Sequence, residues 1–362
     1  CEILDSQRVP ITGSDRTSGD YPYYGANGIQ DYVDDFIFDD ELVLLAEDGG
    51  NFGSKTRPIA YRVSGKCWVN NHAHVLKPKA GLDVDYLCYS LMFYDVGGMV
   101  NGATRQKLTQ AAMRQMIIPK RSLDEQIEIV NIIKKVQGVI ASRKEELEQL
   151  DLLIKARFVE MFGDPVSNPM GWEKVKLSQC LVSIDNGKSF VCGANSRTGN
   201  EPAILKLSAA TYGYYKSEEN KAMIDMNQFV EDAEVHSGDL LFTRKNTPEL
   251  VGMCAYVYDT PAKLMMPDLI FRLNTSNHCD KIFLWKLIDH DLFRACIGKI
   301  ATGSAKSMSN ISKERLLGLC IILPPIELQQ QFADFVRKID KLKLLSLILR
   351  IHIPYFCSKC YD

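Results

Sequence analysis

In the stretch IIPKRSLDEQIEIV (residues 117–130), a short apolar segment ends at a proline and a predicted helix follows. The stretch ILPPIELQQQFADF (residues 322–335) repeats this arrangement. In the first copy, Ser122 and Glu125 have the spacing of a capping box at a helix N-terminus. Apolar residues then recur every three, four or seven positions, the pattern of a coiled-coil seam, until Gly-Asp-Pro at 163–165 gives a stop signal. The sequence therefore predicts a helix of about 40 residues, roughly 60 Å long.

The second copy carries a similar but shorter seam. A single exposed helix of this length, with an apolar seam, is not expected to stand alone, so we expect the two seams to bury each other as an antiparallel pair. The predicted helix-pairing residues are Ile127, Val130, Ile140, Leu147 and Ile154 in the first helix, and Phe332, Phe335, Ile339 and Leu342 in the second.

Three further blocks repeat in the same order, at an offset that grows steadily along the chain. The matched ranges are 41–53 with 238–252, 59–78 with 254–273, and 85–108 with 281–308. Ordered repetition of this kind indicates two copies of one module. Each copy is predicted to hold short strands, a helix, a polar glycine loop, a short strand ending at proline, and the long helix.

Local patterns place individual elements within these modules. Strands are expected at 42–46, 59–63 and 67–70, and helices at 84–94 and 281–297. Residues 21–36, YPYYGANGIQDYVDDF, predict a hairpin, because Asn-Gly at 27–28 tolerates the positive φ angles of a tight turn.

Composition bounds the class of protein. The 362 residues suffice for two domains, and a hydrophobic content of 46% with a net charge of −2 is typical of a soluble globular chain. No apolar run is long enough to span a bilayer, and no signal peptide opens the chain. The first residue is Cys1 rather than Met, so we expect the natural N-terminus to lie upstream.

Charge and cysteine usage add two expectations. Residues 17–54 contain no Lys or Arg but many acids, which predicts a solvated face rather than a docking surface for a basic partner. The eleven cysteines are scattered, apart from Cys357 and Cys360, and this favours free, mostly buried thiols in a reducing cytoplasm.

The sequence lacks the common catalytic motifs. Gly-Lys-Ser at 187–189 lacks the glycine that a phosphate-binding loop needs five residues earlier, where Val182 stands. His72 and His74 lie two apart, but two histidines without a third ligand are more often satisfied polar residues than a metal site. The chain is therefore predicted to bind rather than to catalyse.

Several of these segments together resemble the specificity subunit of type I restriction–modification systems. The segments are YPYYGANGIQDYV (21–33), GATRQKL (102–108) followed by IIPKRSLDEQ, GWEKVKLSQCLVSIDNGKS (171–189), GSAKSM (303–308) and ILPPIELQQQF. The resemblance extends over roughly residues 1 to 345, and the ordered duplication with two long helices makes it specific.

The resemblance implies an α+β fold with two globular α/β target recognition domains, separated by long antiparallel coiled-coil helices in a pseudo-two-fold repeat. The expected divisions are a first recognition domain (1–120), a helical spacer (121–163), a second recognition domain (164–325) and a second helical spacer (326–362). The implied role is non-catalytic and cytoplasmic, without a cofactor or metal. Its implied partners are double-stranded DNA, two modification (methyltransferase) subunits and, through the complex, the ATP-dependent restriction subunits, with no membrane.

Departures from the family pattern leave two alternatives. The first module looks N-terminally incomplete, and the tail after Lys343 looks like a frame change or premature end. Besides a recognition subunit, the chain could be an inactive or regulatory coiled-coil scaffold, or the recognition part of a larger restriction–methyltransferase enzyme. Salt-dependent DNA affinity would argue against the scaffold.

DNA binding needs cations for phosphates and amide, guanidinium or aromatic groups for bases. In the first module the candidates are Lys55, Arg57, Asn71, His72, Arg105 and Lys107. In the second module they are Lys188, Arg197, Tyr212, Tyr215, Lys216, Arg244, Lys245 and Asn246, with Tyr214 beside them.

Overall fold

A computed structural model describes residues 1–102, 104–303 and 308–351, with side chains as far as residue 344. The chain forms two compact units, Cys1–Ser142 and Arg143–Asp362, and the boundary falls inside the longest helix. None of the helices in the described ranges combines the length and the apolar character needed to cross a bilayer. The tail from 352 onwards, and with it Cys357 and Cys360, lies outside the described residues.

The first unit begins with a series of strands and ends in the long helix. Its strands are β1 (Glu2–Ile3), β2 (Ser18–Gly25), β3 (Gly28–Val33), β4 (Phe38–Ala46), β5 (Ala60–Val69), β6 (Ala73–Lys77), β7 (Val100–Asn101) and β8 (Lys107–Leu108). Its helices are α1 (Val84–Met92), α2 (Gln110–Met113) and the first half of α3 (Leu123–Phe162).

Six of these strands form one sheet in the order β1-β6-β4-β5-β2-β3, antiparallel except where β2 lies beside β5. Strand β4 is buried on both faces. Val43 and Leu45 pack in a cluster with helix α1, and Leu42 and Leu44 pack in a second cluster on the opposite face. Double burial explains why this strand reads as a continuous apolar run rather than an alternating one.

The second unit repeats this plan with additional short strands. Its strands are β9 (Lys174–Lys176), β10 (Leu181–Asn186), β11 (Ala203–Leu205), β12 (Asn220–Ala222), β13 (Leu240–Thr243), β14 (Lys245–Asn246), β15 (Cys254–Tyr256), β16 (Leu264–Met265), β17 (Ile270–Thr275), β18 (Ser309–Asn310) and β19 (Cys320–Ile322). Its helices are α4 (Lys281–Ile288), α5 (Asp291–Ile300), α6 (Lys313–Leu317) and α7 (Ile326–Ile351), with the second half of α3.

The main sheets of the two units share one topology. The second unit orders its four strands β10-β17-β13-β15, all antiparallel, which corresponds to β1-β6-β4-β5 in the first. In both units a short helix follows the sheet and a long helix closes the module. The predicted repeat of a mixed α+β module is confirmed.

A buried glutamine ties each long helix to the short helix before it. Gln126 accepts a hydrogen bond through Oε1 from the backbone N–H of Asp83 (2.8 Å), and Gln329 accepts one from the N–H of Asp280 (2.9 Å). Asp83 and Asp280 are the N-caps of α1 and α4. Both glutamines also donate to nearby backbone carbonyls, so these buried amides are satisfied on both sides.

Helix α3 begins and ends as the sequence predicts. Ser122 N–H donates to Glu125 Oε2 (2.8 Å), and Glu125 N–H donates to Ser122 Oγ (3.3 Å), which is a reciprocal capping box. Gly163 follows the last residue with φ +72°, a conformation that favours glycine at a helix C-terminus.

Helix pairing is present inside the second unit. Ile154, Phe332 and Ile339 are buried in one apolar cluster, against which Phe335 packs partly. The Phe158 and Phe332 rings lie 5.5 Å apart, while Lys343 Nζ further along α7 contacts Asp151 Oδ1 (2.5 Å), earlier in α3. The two helix segments therefore run antiparallel.

The predicted seam is not buried along its whole length. Ile127, Ile140 and Leu342 are exposed by 43%, 39% and 51%, Leu147 is half-buried, and Val130 is buried. Burial of the first three was therefore wrongly predicted. Helix α7 has 26 residues against 40 in α3, and Lys343 of α7, rather than Leu342, contacts α3.

Residues 281–297 form two helices instead of the one that was predicted. The break lies at His290, which has extended backbone angles (φ −65°, ψ 131°). Its Nδ1 accepts a hydrogen bond from Leu292 N–H (3.3 Å) and so caps α5. A polar side chain that competes for backbone donors ended the helix where apolar periodicity continued.

Two strand predictions are corrected in detail. The hairpin β2–β3 is confirmed, but Ala26 and Asn27 are its central residues, and the positive φ belongs to Gly28 (+112°) rather than to Asn27. Strand β5 is continuous where two strands were expected, because its pairing with β4 runs unbroken through Gly65. The cysteines in the described residues are free, and Cys67, Cys88, Cys180, Cys254 and Cys279 are buried.

Candidate functional site

The ends of strands β4 and β13 occupy equivalent places in the two units. Leu108 N–H donates to the carbonyl of Glu47 (2.6 Å), and Ile311 N–H donates to the carbonyl of Arg244 (2.8 Å). Glu47 and Arg244 are therefore equivalent residues. Several of the candidate DNA-binding residues lie at these two places, which we call the first-unit edge (Glu47, Asp48, Asn71, His72, Arg105, Lys107) and the second-unit edge (Arg244, Lys245, Asn246, Asn310, Lys313).

At the first-unit edge, Asp48 binds two of the candidates. Its Oδ1 lies 2.7 Å from Arg105 Nη2 and 2.7 Å from His72 Nδ1. The hairpin turn supports the same loop, since Asn27 donates to the carbonyl of Gly49 (2.9 Å). The turn of residues 21–36 thus contacts the edge, while Tyr23 within that hairpin is buried in the core.

Glu47 binds the third candidate cation. Its Oε1 lies 2.9 Å from Lys107 Nζ, and its Oε2 lies 2.6 Å from Arg8 Nη1. Burial raises the pKa of Glu47, but the hydrogen bonds from Arg8 and Lys107 outweigh it and hold that pKa below its ordinary value. Asp5 behaves alike: burial raises its pKa, and hydrogen bonds from His74, Gln110 and the Val75 N–H bring it down to about 2.

Asp5, Glu47 and His74 are close enough together to be tested as metal ligands. His74 Nδ1 lies 2.7 Å from Asp5 Oδ2, and His74 Nε2 lies 2.9 Å from the carbonyl of Leu108. Each ring nitrogen of His74 is thus directed at an acceptor of its own unit. The cluster is a hydrogen-bonded network that joins strand β6 to the segments that follow β1 and β4.

At the second-unit edge, Arg244 is engaged in packing. Its guanidinium lies 5.0 Å from the centroid of the Phe271 ring, and its Nη2 donates to Asn310 Oδ1 (3.1 Å). Lys313 Nζ lies over the same ring at 5.8 Å. Lys245 is half-buried in β14, and Asn246 is buried, with Nδ2 bonded to Thr211 Oγ1 (3.3 Å).

A tyrosine cluster (Tyr212, Tyr214, Lys216) adjoins this edge through Thr211. The two rings are 57% and 53% exposed, and Lys216 Nζ lies 4.7 Å and 5.0 Å from their centroids. Hydrogen bonding to Tyr214 raises the pKa of Lys216, so the ammonium stays charged. A half-buried cation that lies beside two exposed aromatic rings can contact both phosphates and base edges.

The remaining candidates divide into exposed and engaged residues. Lys55, Arg57, Asn71 and Lys188 are exposed on loops. Arg197 donates to the carbonyls of Glu201 (2.9 Å) and Ala262 (2.7 Å). Tyr215 packs against the core with its hydroxyl 2.7 Å from Thr260 Oγ1, and burial raises its pKa to about 12. Arg197, Tyr215 and Asn246 thus each make internal contacts, and their predicted binding to DNA stays a prediction.

Comparison with known proteins decides the family. The family model described as the type I restriction modification DNA specificity domain matches residues 1–152 and 169–349. The chain belongs to this family. The two matches coincide with the two copies of the repeat, so each copy corresponds to one specificity domain.

Three relatives in this specificity family differ in their identity to the chain and in the share of each chain that aligns. The chain is 41% identical over 131 residues to a putative type I restriction enzyme specificity subunit of Haemophilus influenzae, a match to 36% of this chain and 34% of the relative. It is 26% identical over 250 residues to the EcoEI specificity subunit of Escherichia coli, covering 67% and 41% respectively. A Methanocaldococcus jannaschii relative, the MjaVIII specificity subunit, is 24% identical over 94% of this chain and 84% of its own length. The chain thus spans between a third and a half of the length of the first two relatives.

Solved structures support the fold of the specificity family. An S subunit of a type I restriction–modification system from M. genitalium has a TM-score of 0.56 at 12% identity, over 99% of this chain and 93% of the other. A chain from a study of complex assembly in the type I system has a TM-score of 0.52 at 15% identity, over 98% of this chain and 94% of the other.

Sequence reasoning missed several residues of this specificity-family chain. Gln126 and Gln329 each stand in the first turn of a long helix, and their recurrence in both copies was a usable signal. Lys313 and Asn310 gave no signal, because their contacts with Phe271 and Arg244 come from distant segments. Asp48 lies in the acidic segment that was predicted to face solvent, yet it binds Arg105 and His72.

Asp289, beneath the tyrosine cluster, makes stability depend on pH. Burial raises its pKa from 3.8 to about 6, despite the neighbouring Lys286 and Arg294. The folded state therefore binds this proton more tightly than the unfolded state, and the stabilisation is full below pH ~4 and is lost as pH rises through 6. We expect Asp289→Asn to raise the free energy of unfolding near pH 7.5 by up to about 3 kcal/mol, and to flatten its pH dependence.

Denaturant unfolding measured between pH 4 and 8 checks this expectation. Asn keeps the oxygen that accepts from the Cys254 N–H (3.2 Å). The matched control is Asp291→Asn, which removes an exposed carboxylate two residues away. An Asp289→Asn profile as steep as that of the unchanged protein would contradict the prediction.

Proposed function

We propose that the chain is the DNA sequence-recognition subunit of a type I restriction–modification complex. Each of its two specificity domains binds one half of a split, asymmetric site on double-stranded DNA. The most direct support is that both family matches fall on the repeated units. In each unit, polar and basic residues lie at the same end of equivalent strands.

DNA contacts are assigned by exposure. In the second unit, the tyrosine cluster and Lys188 are available to DNA, while Arg244 packs on Phe271 just before strand β14, which carries Lys245. In the first unit, Lys55, Arg57 and Asn71 are exposed, and Arg105 and Lys107 present donors beyond those used by Asp48 and Glu47. Arg can read guanine in the major groove with two donors, and Lys contacts phosphates as a point charge.

The chain is proposed to act without a catalytic site of its own, in the cytoplasm. Methyl transfer to adenine and ATP-driven cleavage then belong to two modification subunits and to restriction subunits, as the family resemblance implies. The long helices would dock the modification subunits and set the spacing between half-sites. Exposed apolar side chains along α3, among them Ile132, Val139, Leu152, Leu153 and Val159, support a docking role.

A genome-wide map of methylated adenines tests the proposal. Cells expressing this chain together with its modification subunit are expected to carry a two-part methylation motif. Cells expressing the modification subunit alone should lack that motif, because the sequence choice resides in this chain.

The outcomes separate the hypotheses clearly. A split motif that depends on the chain supports the recognition subunit. Absence of any motif, although the chain and modification subunit still co-purify, would favour the inactive scaffold and refute the recognition function for this chain.

A further inference from the structure

The two edges carry opposite charge at equivalent positions. Glu47 and Asp48 in the first unit correspond to Arg244 and Lys245 in the second, because Leu108 and Ile311 bond to the same backbone position in each. The side chain of Asp48 is only 18% exposed, whereas that of Arg105 is 59% exposed. The acid thus lies beneath the cation that it binds.

The first-unit edge is internally neutralised as a result. Asp48 and Glu47 hold Arg105, His72 and Lys107 at 2.7 Å, 2.7 Å and 2.9 Å. At the second-unit edge, Arg244 bonds instead to the neutral Asn310 and stacks on Phe271. A phosphate approaching the first edge meets one carboxylate beside each available cation, Asp48 at Arg105 and Glu47 at Lys107. At the second edge, Arg244, Lys245 and Lys313 form no ion pair with the acids that the structure describes.

Non-specific DNA binding is almost entirely electrostatic, so acids paired with the cations of a DNA-facing edge weaken it for every sequence alike. Contacts to base edges are affected less, because the guanidinium of Arg105 uses one of its five donors for Asp48 and is oriented by that bond. A cation that is neutralised and oriented in this way favours base contacts over phosphate contacts.

We infer that Asp48 is a specificity-determining residue, which holds Arg105 and His72 in an internal ion cluster and so suppresses non-cognate DNA binding by the first unit. This inference rests on the proposed DNA-recognition function. It assigns the acid a role distinct from base contact, since its oxygen is directed at two side chains of its own unit.

The test is Asp48→Asn in the full chain with its modification subunits, measured on cognate and non-cognate duplexes over a series of salt concentrations. Loss of the charge is expected to raise non-cognate affinity roughly 3- to 10-fold at low salt, and to steepen the slope of log K against log salt by about 0.9, as for one added phosphate contact. Cognate affinity should change by less than about 2-fold, so the specificity ratio falls. Asp48→Glu, which keeps the charge, should retain the ratio of the unchanged protein.

Asp31→Asn is the matched control, since Asp31 pairs with Arg16 (3.2 Å) in the same unit but on strand β3. An equal rise in non-cognate affinity for both variants would overturn the inference, because net charge alone would explain it. Unchanged non-cognate affinity for Asp48→Asn, or a selective loss of cognate affinity, would overturn it as well. If the unchanged complex itself shows no salt-dependent preference for cognate DNA, the proposed function fails, and the inference fails with it.

Discussion

Alanine at Tyr212, Tyr214 and Lys216 together is expected to weaken cognate DNA binding roughly 100-fold, which corresponds to about 2.7 kcal/mol. Lys216 lies within 5.0 Å of both ring centroids, and both rings are more than half exposed. The triple change removes one charge that can meet a phosphate and two rings that can meet bases or sugars. Measurement of affinity in the assembled complex, at several salt concentrations, checks the prediction.

The matched control replaces Lys221, Ile224 and Met226 by alanine. These residues are exposed, belong to the same unit and likewise comprise one cation and two large side chains. We expect less than about 3-fold loss from this control. Equal losses in the two triple variants would show that the tyrosine cluster has no special part in binding, and unchanged affinity in the first would exclude it from the DNA contact.

Phe158→Ala is expected to lower the free energy of unfolding of the second unit by about 3 to 5 kcal/mol. The Phe158 ring is buried among Phe162, Phe283, His290 and Phe332, with centroid distances between 5.1 Å and 5.9 Å. Truncation leaves a cavity where α3, α4 and α7 meet, and rigid aromatic neighbours can fill it only in part. The loss should therefore fall at the upper end of the usual range for point mutants.

Denaturant unfolding followed by tryptophan fluorescence measures this effect, since Trp172 and Trp285 both lie in the second unit. Val159→Ala is the neighbouring control on the exposed side of α3, with an expected change within about 0.5 kcal/mol. A loss below about 1 kcal/mol for Phe158→Ala would mean that the helix junction is not the tightly packed core described here.

Predictions from local sequence signals were confirmed where the stabilising contacts join residues that are close in the chain. Ser122 and Glu125 satisfy each other's backbone, and Gly163 takes the left-handed conformation, so the bounds of α3 followed from sequence alone. The break at His290 was missed, because apolar periodicity continues through it while one side-chain hydrogen bond ends the helix.

The solvent exposure of the candidate DNA-binding residues could not be predicted from local sequence signals. Arg197, Tyr215 and Lys216 were all candidates for DNA contact by residue type alone. In the structure, Arg197 binds loop carbonyls and Tyr215 packs into the core. Residue type alone does not distinguish a cation facing solvent from one that satisfies buried carbonyls, since both uses require the same donor groups.

The sequence by itself determined the duplication, the order of elements and the bounds of the long helix α3, because periodicity and capping act between residues close in the chain. Tertiary structure alone decided that Glu47 and Asp48 bind Arg105, His72 and Lys107 of the first unit, and that Phe271 and Asn310 contact Arg244 in the second. Those partners come from separate strands and loops, and the strength of a charge pair depends on the distance and burial that only the folded chain sets.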